Sequence, residues 1–278
     1  MKLWISCDME GVAGIVDWSQ CTPDDSIAYA RGCALMLGEV NAAIDGALAA
    51  GADEIVVNDS HGRMHNLDPA QLHGRASYLA GRHKPLYMMQ GLDDTVDAVF
   101  LVGYHGSISG PPSTMSHTYN PEVFSAARVN GQWVGESGLN ALVTQHHRVP
   151  IALVTGDQVT KAEAEPFAPD AEHVVVKESI TRFSALNLHP HEARDRIREA
   201  AKRAVEKVAA GAVAVASVDS PVRLELDTRT GDMAEVATWV DGVERTGERT
   251  VLITGDDLLG VFQRFVAVSY ITRQAGGR

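Results

Sequence analysis

Four short, almost wholly apolar runs recur through the first two-thirds of the chain, and each breaks off into glycine, histidine or an acid. Residues 3–7 run into Asp8-Met9-Glu10-Gly11, and residues 54–57 into Asn58-Asp59-Ser60-His61-Gly62. Residues 98–102 run into Gly103-Tyr104-His105-Gly106, and residues 151–154 into Thr155-Gly156-Asp157. Runs this short with no polar face read as strands buried on both sides. Helix-like stretches lie between them, the longest over residues 25–50 with Gly51 as its stop signal, and this spacing calls for a parallel sheet covered by helices on both faces. The expected class is therefore α/β. In open sheets of this kind ligands bind at the carboxyl ends of the strands.

Those strand ends carry the chemistry. Side chains alternate along an extended backbone, so Asp8 and Glu10 point one way and Met9 the other. Two adjacent carboxylates repel unless something positive lies between them. The next two strand ends supply His61 and His105, and residues about fifty apart in sequence meet where such strands converge. A further carboxylate, Glu136, follows a hairpin signal at Asn130-Gly131 and stands just before a helix-like stretch over residues 138–145. Two histidines and three carboxylates form a mixed nitrogen and oxygen set suited to zinc, with manganese and cobalt as competitors. Five side chains exceed what one open tetrahedral ion needs, and with one carboxylate bridging they suit two ions ~3.5–4 Å apart. Asp8, on the central strand, is the expected bridge.

A lone histidine after a strand is more often a hydrogen-bonded or surface residue than a ligand, and the coincidence of three strand ends is what carries the reading. His117, in the polar loop Thr114-Met115-Ser116-His117-Thr118, is open to three roles: third metal ligand, catalytic group or exposed residue. His65, His146 and His147 read as surface residues, and His189 and His191 flank a proline at a helix start. Gly255-Asp256-Asp257 reads as an acidic helix N-terminus. Gly11-Val12-Ala13-Gly14 is a weak dinucleotide signal, and the acids ahead of it would repel a pyrophosphate.

Composition narrows the partners. The 278 residues are 45% hydrophobic and 22% charged, an ordinary globular balance, and the formal net charge of −12 argues against a nucleic-acid or anionic-membrane partner. No apolar run approaches the ~20 residues of a membrane span. Cys7, Cys21 and Cys33 are odd in number and lack C-x-x-C spacing, so they read as core or incidental. With no signal peptide expected, a reducing cytoplasm fits best. Near Pro190 the texture changes to a charged amphipathic helix over residues 191–209. Strand candidates at 222–226 and 250–253 and a final helix over 256–274 follow. The expected division is a catalytic α/β domain over 1–189 and a smaller α+β domain over 190–278.

The segments Ser6-Cys7-Asp8-Met9-Glu10-Gly11, Val57-Asn58-Asp59-Ser60-His61, Gly91-Leu92-Asp93-Asp94-Thr95, Gly103-Tyr104-His105, Met115-Ser116-His117, Val134-Gly135-Glu136-Ser137-Gly138-Leu139-Asn140 and Val176-Lys177-Glu178-Ser179-Ile180-Thr181-Arg182 occur in an order that resembles the zinc-dependent D-aminopeptidase family, whose founding members were labelled dipeptide-transport proteins. The resemblance covers the first two-thirds of the chain. It implies a three-layer α/β domain with a smaller α+β domain, and two zinc ions per subunit on Asp8, Glu10, His61, His105 and Glu136, with Asp8 bridging. It also implies a ring-shaped decamer enclosing the sites, and a catalytic His117, described in that family as a nucleophile. On chemical grounds a metal-bridging hydroxide is the more economical nucleophile, with His117 assisting by proton transfer or oxyanion stabilisation. The chain departs from the family pattern at residues 17–25 and 118–122, both candidates to line the substrate pocket.

The expected activity is removal of an N-terminal D-residue from short peptides of the D-Ala-D-Ala type. Two rivals stand beside it. One is another metallohydrolase, acting on non-peptide amides or phosphate esters, although dinuclear phosphoesterases carry D-x-H and G-N-H-[D/E] signatures and this chain has D-x-E. The other is a non-catalytic peptide-binding protein of a transport system.

Overall fold

Residues 1–276 are described by the computed structural model. From the N-terminus the chain lays down β1 (Lys2–Cys7), α1 (Ser26–Ala49), β2 (Glu54–Asp59), a short β3 (Ser77–Leu79) and β4 (Ala98–Tyr104). The hairpin β5 (Phe124–Val129) and β6 (Gln132–Trp133) follows, then α2 (Glu136–His147), β7 (Ile151–Asp157), α3 (Gln158–Ala164), β8 (Glu172–Thr181) and β9 (Ser184–Asn187). The remainder is α4 (Pro190–Ala209), β10 (Val222–Thr228), α5 (Gly231–Ala237), β11 (Val243–Arg245), β12 (Thr250–Gly255) and α6 (Leu258–Thr272).

Seven strands form one sheet in the order β3-β2-β1-β4-β7-β8-β9, parallel except for β9 at the edge. Five form a second, antiparallel sheet in the order β11-β12-β10-β5-β6. The α/β class and the mostly parallel sheet agree with the sequence reading. Two-sided burial explains the unbroken apolar runs. Leu3, Ile5 and Cys7 of β1 join one core with α1 and α4, while Trp4 joins the other with α2, α6 and the second sheet. In β4, Phe100 and Val102 face the first core and Val99 and Leu101 the second.

The hairpin signal at Asn130-Gly131 is borne out, with φ of 50° and 81° at the two residues. This double left-handed turn is the one whose twist matches a two-residue hairpin. Its placement differs from the expectation: β5 pairs with β10, so the hairpin belongs to the antiparallel sheet. Helix α4, expected to open a smaller domain, instead packs on α1 and on β7 and β8 of the parallel sheet. Spatial grouping therefore crosses the expected 189/190 boundary in both directions. The polar texture of α4 reflects one solvated face, since Ala193, Ile197, Ala200, Ala201, Ala204 and Val205 are all buried.

Helix α1 is long and apolar enough on average to cross a bilayer, longer than the apolar runs noted in the sequence. It spends that apolarity inside the fold, where Met36, Val40, Ala43, Ile44 and Ala47 are buried.

Candidate metal centre

Strand order decides what the strand ends bring together. β1 lies between β2 and β4, and the chain reverses its direction of winding there, which makes the carboxyl ends of these three strands the crevice of the sheet. Asp8 and Glu10 follow β1, Ser60 and His61 follow β2, and His105 follows β4. Beyond β1 the backbone stays pressed against β4, with Asp8 N donating to Val102 O at 2.8 Å and Gly11 N to Gly103 O at 2.8 Å. Gly11 is required at this crossing, because a Cβ there would overlap the Tyr104 carbonyl. Met9 turns back into the core, fully buried, while Asp8 and Glu10 turn into the crevice as the alternation argument requires. Helix α2 begins at Glu136 itself, two residues earlier than expected, and so aims that carboxylate from the helix's first turn.

All six candidate residues meet in one buried cluster. His61 Nδ1 lies 3.1 Å from Asp8 Oδ1 and 3.0 Å from Glu10 Oε2. His105 Nε2 lies 3.5 Å from Asp8 Oδ2 and 3.6 Å from Glu136 Oε2. His117 Nε2 lies 3.7 Å from Glu136 Oε1, and its ring stacks on His105 with centroids 4.2 Å apart. Asp8 thus faces both histidines, one with each oxygen.

Three backbone carbonyls fix how the imidazoles are presented. A carbonyl only accepts, so His61 Nε2–H donates to Cys21 O (2.8 Å), His105 Nδ1–H to Gly106 O (2.9 Å) and His117 Nδ1–H to Met115 O (3.0 Å). In the neutral rings the opposite nitrogens are lone pairs aimed at carboxylate oxygens. That arrangement is repulsive unless a cation lies between. His105 Nε2 and Glu136 Oε2 are moreover buried without any hydrogen-bond partner, which is costly for buried polar atoms. A backbone carbonyl behind each ring is the usual outer support of a metal-ligating histidine. The donor set fits zinc.

Protons take the cation's place when no metal is bound. Burial works against a charged His61 and His105, but the facing carboxylates outweigh it. His61 is driven well above its usual value by Glu10 and Asp8, and His105 rises to about 10 through Glu136 and Asp8. Burial likewise opposes ionisation of Asp8, yet His105 and His61 hold it well below the usual carboxylate range. Glu136 is pushed up to about 8, mainly by burial, with His105 opposing. His117 is pushed down to about 4 by burial and then by His105, so it is neutral at physiological pH with a free Nε2 lone pair.

Outer residues hold these loops. Lys177 of β8, buried, donates through Nζ to Glu10 O (2.5 Å), Val12 O (3.0 Å) and Ile15 O (2.6 Å). Asp157 accepts from Ser113 Oγ (2.6 Å) and Ser179 Oγ (2.5 Å), and Met115 N donates to Arg182 O (2.7 Å), which together fasten the His117 loop to β7 and β8. Tyr119 N donates to Glu136 Oε1 at 2.7 Å. Lys84 Nζ, bonded to Asn58 Oδ1 and Asp59 O at 2.6 Å each, steadies the end of β2.

Sequence reasoning gave Lys177, Asp157 and Lys84 no role. A visible signal existed for Lys177: a charge directly after Val174-Val175-Val176 in a buried strand needs a partner. Cys21, read as core or incidental, is buried but lies beside the centre. Its carbonyl holds His61, and its thiol is close to the Glu10 and His61 ligand atoms. Trp18 packs edge-on against His117, with centroids 5.6 Å apart. His65, His146, His189 and His191 are exposed and His147 is partly so, and none of them lines the cavity of the centre. Asp257 caps α6, as its place in the sequence suggests.

The centre opens into a cavity of about 360 Å³ lined by Asp8, Glu10, His61, His117 and Glu136, together with Trp18 and Pro23 of one divergent loop and Tyr119 and Asn120 of the other.

Comparison with known proteins finds relatives over nearly the whole chain. A family model described as D-aminopeptidase matches residues 1–267. A D-aminopeptidase of Bacillus subtilis (strain 168) is 34% identical over 281 residues, covering 97% of both chains. The solved structure of the Zn-dependent D-aminopeptidase DppA from Bacillus subtilis, described as a self-compartmentalizing protease, superposes with a TM-score of 0.91. It is 32% identical, and the match covers 99% of this chain and 98% of that one.

Proposed function

Because this chain belongs to the D-aminopeptidase family, we propose that its buried carboxylate and histidine cluster is a zinc centre that hydrolyses short peptides bearing an N-terminal D-residue, of the D-Ala-D-Ala type. The observation that carries the reading is the set of lone pairs facing one another across the cluster, with His105 Nε2 and Glu136 Oε2 left without partners. Asp8, Glu10, His61, His105 and Glu136 would hold two zinc ions, Asp8 being shared because each of its oxygens faces a different histidine. When bound, zinc supplies Lewis acidity toward a carbonyl oxygen and acidifies water.

The protein's own groups supply the remaining steps. His117, neutral and with its Nδ1–H held by Met115 O, presents Nε2 to the cavity as a proton acceptor. It takes a proton as water adds to the scissile carbonyl and returns it to the departing amine. Trp18, against the His117 ring, limits water at that face. A closed ring of subunits in the cytoplasm would restrict access to short peptides.

The test combines elemental analysis with turnover of a small panel of D- and L-aminoacyl peptides. The expected result is close to two zinc equivalents per chain, most of both lost in Asp8→Ala, cleavage of D-Ala-D-Ala ahead of L-Ala-L-Ala, and a light-scattering mass many times the 29.8 kDa chain. Absence of metal together with chelator-resistant cleavage would overturn the centre. Preference for the L-peptide would overturn the substrate, and a fully active monomer the ring.

A further inference from the structure

The metal-centre cavity does not end at the zinc ligands. It adjoins a second cavity of about 650 Å³, and the two share Gly62, Arg63, Arg82, Tyr87, Asn120 and Arg273 as common walls. Three arginines thus stand between the two spaces. The chain has 36 acidic residues against 24 lysines and arginines, so this grouping runs against its overall charge. Neither Arg63 nor Arg82 has a carboxylate within ion-pair distance among the described residues, and Arg273 meets only the exposed Glu122, at 3.7 Å. The acids of the metal-centre cavity are Asp8, Glu10 and Glu136 of the cluster itself, with Asp24 and Glu122 farther along its lining.

The two unpaired arginines hang from anchored backbone. Arg63 is two residues beyond His61, inside the turn closed by Met64 N to His61 O at 2.7 Å. Arg82 follows Gly81, whose N–H is bonded to Met64 O at 2.5 Å, and precedes the buried Lys84. The metal-facing histidine and both guanidinium-bearing segments therefore form one tied unit.

We infer that Arg63 and Arg82 bind the C-terminal carboxylate of the peptide whose scissile bond lies at the metal centre, so that the enzyme selects short peptides with a free C-terminus. This rests on the hydrolytic reading of that centre. Extended chain advances ~3.3–3.6 Å per residue, so the carboxylate of a di- or tripeptide lies only one or two residues past the scissile carbonyl, on the arginine side of the cavity. Guanidinium is the side-chain group whose paired donors match a carboxylate. The same contact acts as a ruler: a longer chain carries its terminal charge beyond the arginines and loses it.

The experiment compares D-Ala-D-Ala with its C-terminal amide, which differ only in the terminal charge. Wild-type enzyme should prefer the acid. Its KM for the acid should rise with salt, while that for the amide should respond little. In Arg63→Gln/Arg82→Gln the acid-to-amide ratio of kcat/KM should fall by about tenfold, through KM. Arg63→Lys/Arg82→Lys should restore part of it, and zinc content should stay at the wild-type level in both. An unaltered ratio in the Gln variant, or an equal loss on both substrates, overturns the arginine site while leaving the hydrolase reading intact. A salt-insensitive wild-type KM for the acid does the same without any variant. Wild-type enzyme that cleaves neither substrate overturns both readings.

Discussion

Replacing Lys177 by Met tests whether the acid-bearing loop is held from beneath. The ammonium is buried and donates to the carbonyls of Glu10, Val12 and Ile15, which uses all three of its protons. Met keeps the length and apolar stem and removes the donors, leaving three buried carbonyls without that partner. Each orphaned group costs about 1–3 kcal/mol. Against this stands the relief of no longer burying a charge. Burial pushes Lys177 down from 10.5 to about 8, with Glu39 and Asp157 pulling the other way, and that displacement corresponds to roughly 3 kcal/mol. The balance is a net loss of about 3 kcal/mol, within the ~5–15 kcal/mol stability of a folded domain, so the variant should fold. Glu10 hangs from the same peptide as the bonded carbonyl, so its carboxylate should lose its fixed position, and zinc retention in chelator competition should fall roughly 10–100-fold. A pH signature should accompany this. Between pH 8 and 10.5 the unfolded chain holds a proton that the folded wild type has released, so wild-type stability gains from this group as pH rises through that window. The Met variant should lack that gain. Denaturant unfolding of loaded and metal-stripped protein measures the stability, and a competing chelator measures the zinc. Wild-type values in both assays would refute the argument that Lys177 holds the loop.

Two further outcomes follow from the same geometry. His117→Ala should keep its zinc and lose on the order of 10²–10⁴ in turnover; loss of metal instead would make His117 a ligand. Glu39, buried in α1, accepts from Ala13 N at 2.8 Å and is raised by burial from 4.5 to about 7. The folded state keeps a proton that the unfolded chain releases, so stability from this group is full below pH 4.5 and is lost as pH rises toward 7. Glu39→Gln should remove that slope and leave the variant more stable than wild type above pH 7 by up to roughly 3 kcal/mol, read from denaturation midpoints across the window. An unchanged slope would refute the assignment.

The parallel sheet was legible in sequence because strands buried on both faces have little room for polar side chains, so β1, β4 and β7 appear as mostly apolar runs. The candidate ligands were legible for the complementary reason: ligand-binding side chains occur where such a run must end, and Asp8, His61 and His105 each stand just past one. The Asn130-Gly131 turn was legible because few residues tolerate positive φ at two successive positions. Other features had no local signature. The edge strands β3 and β9 are short or partly exposed and carry little periodicity. Whether α4 and the β5–β6 hairpin lie with the residues beside them in sequence depends on packing partners far along the chain, and packing placed α4 on α1 and β5 on β10. The outer shell of the centre was decided in the same way. Lys177 meets Glu10, and Arg82 stands beside the turn carrying Arg63, only because β8 and the loop after β3 fold back onto the strand ends. Burial and strand termination are written residue by residue in the order of the chain, whereas a hydrogen bond or charge contact across more than a hundred residues exists only once the sheet has closed.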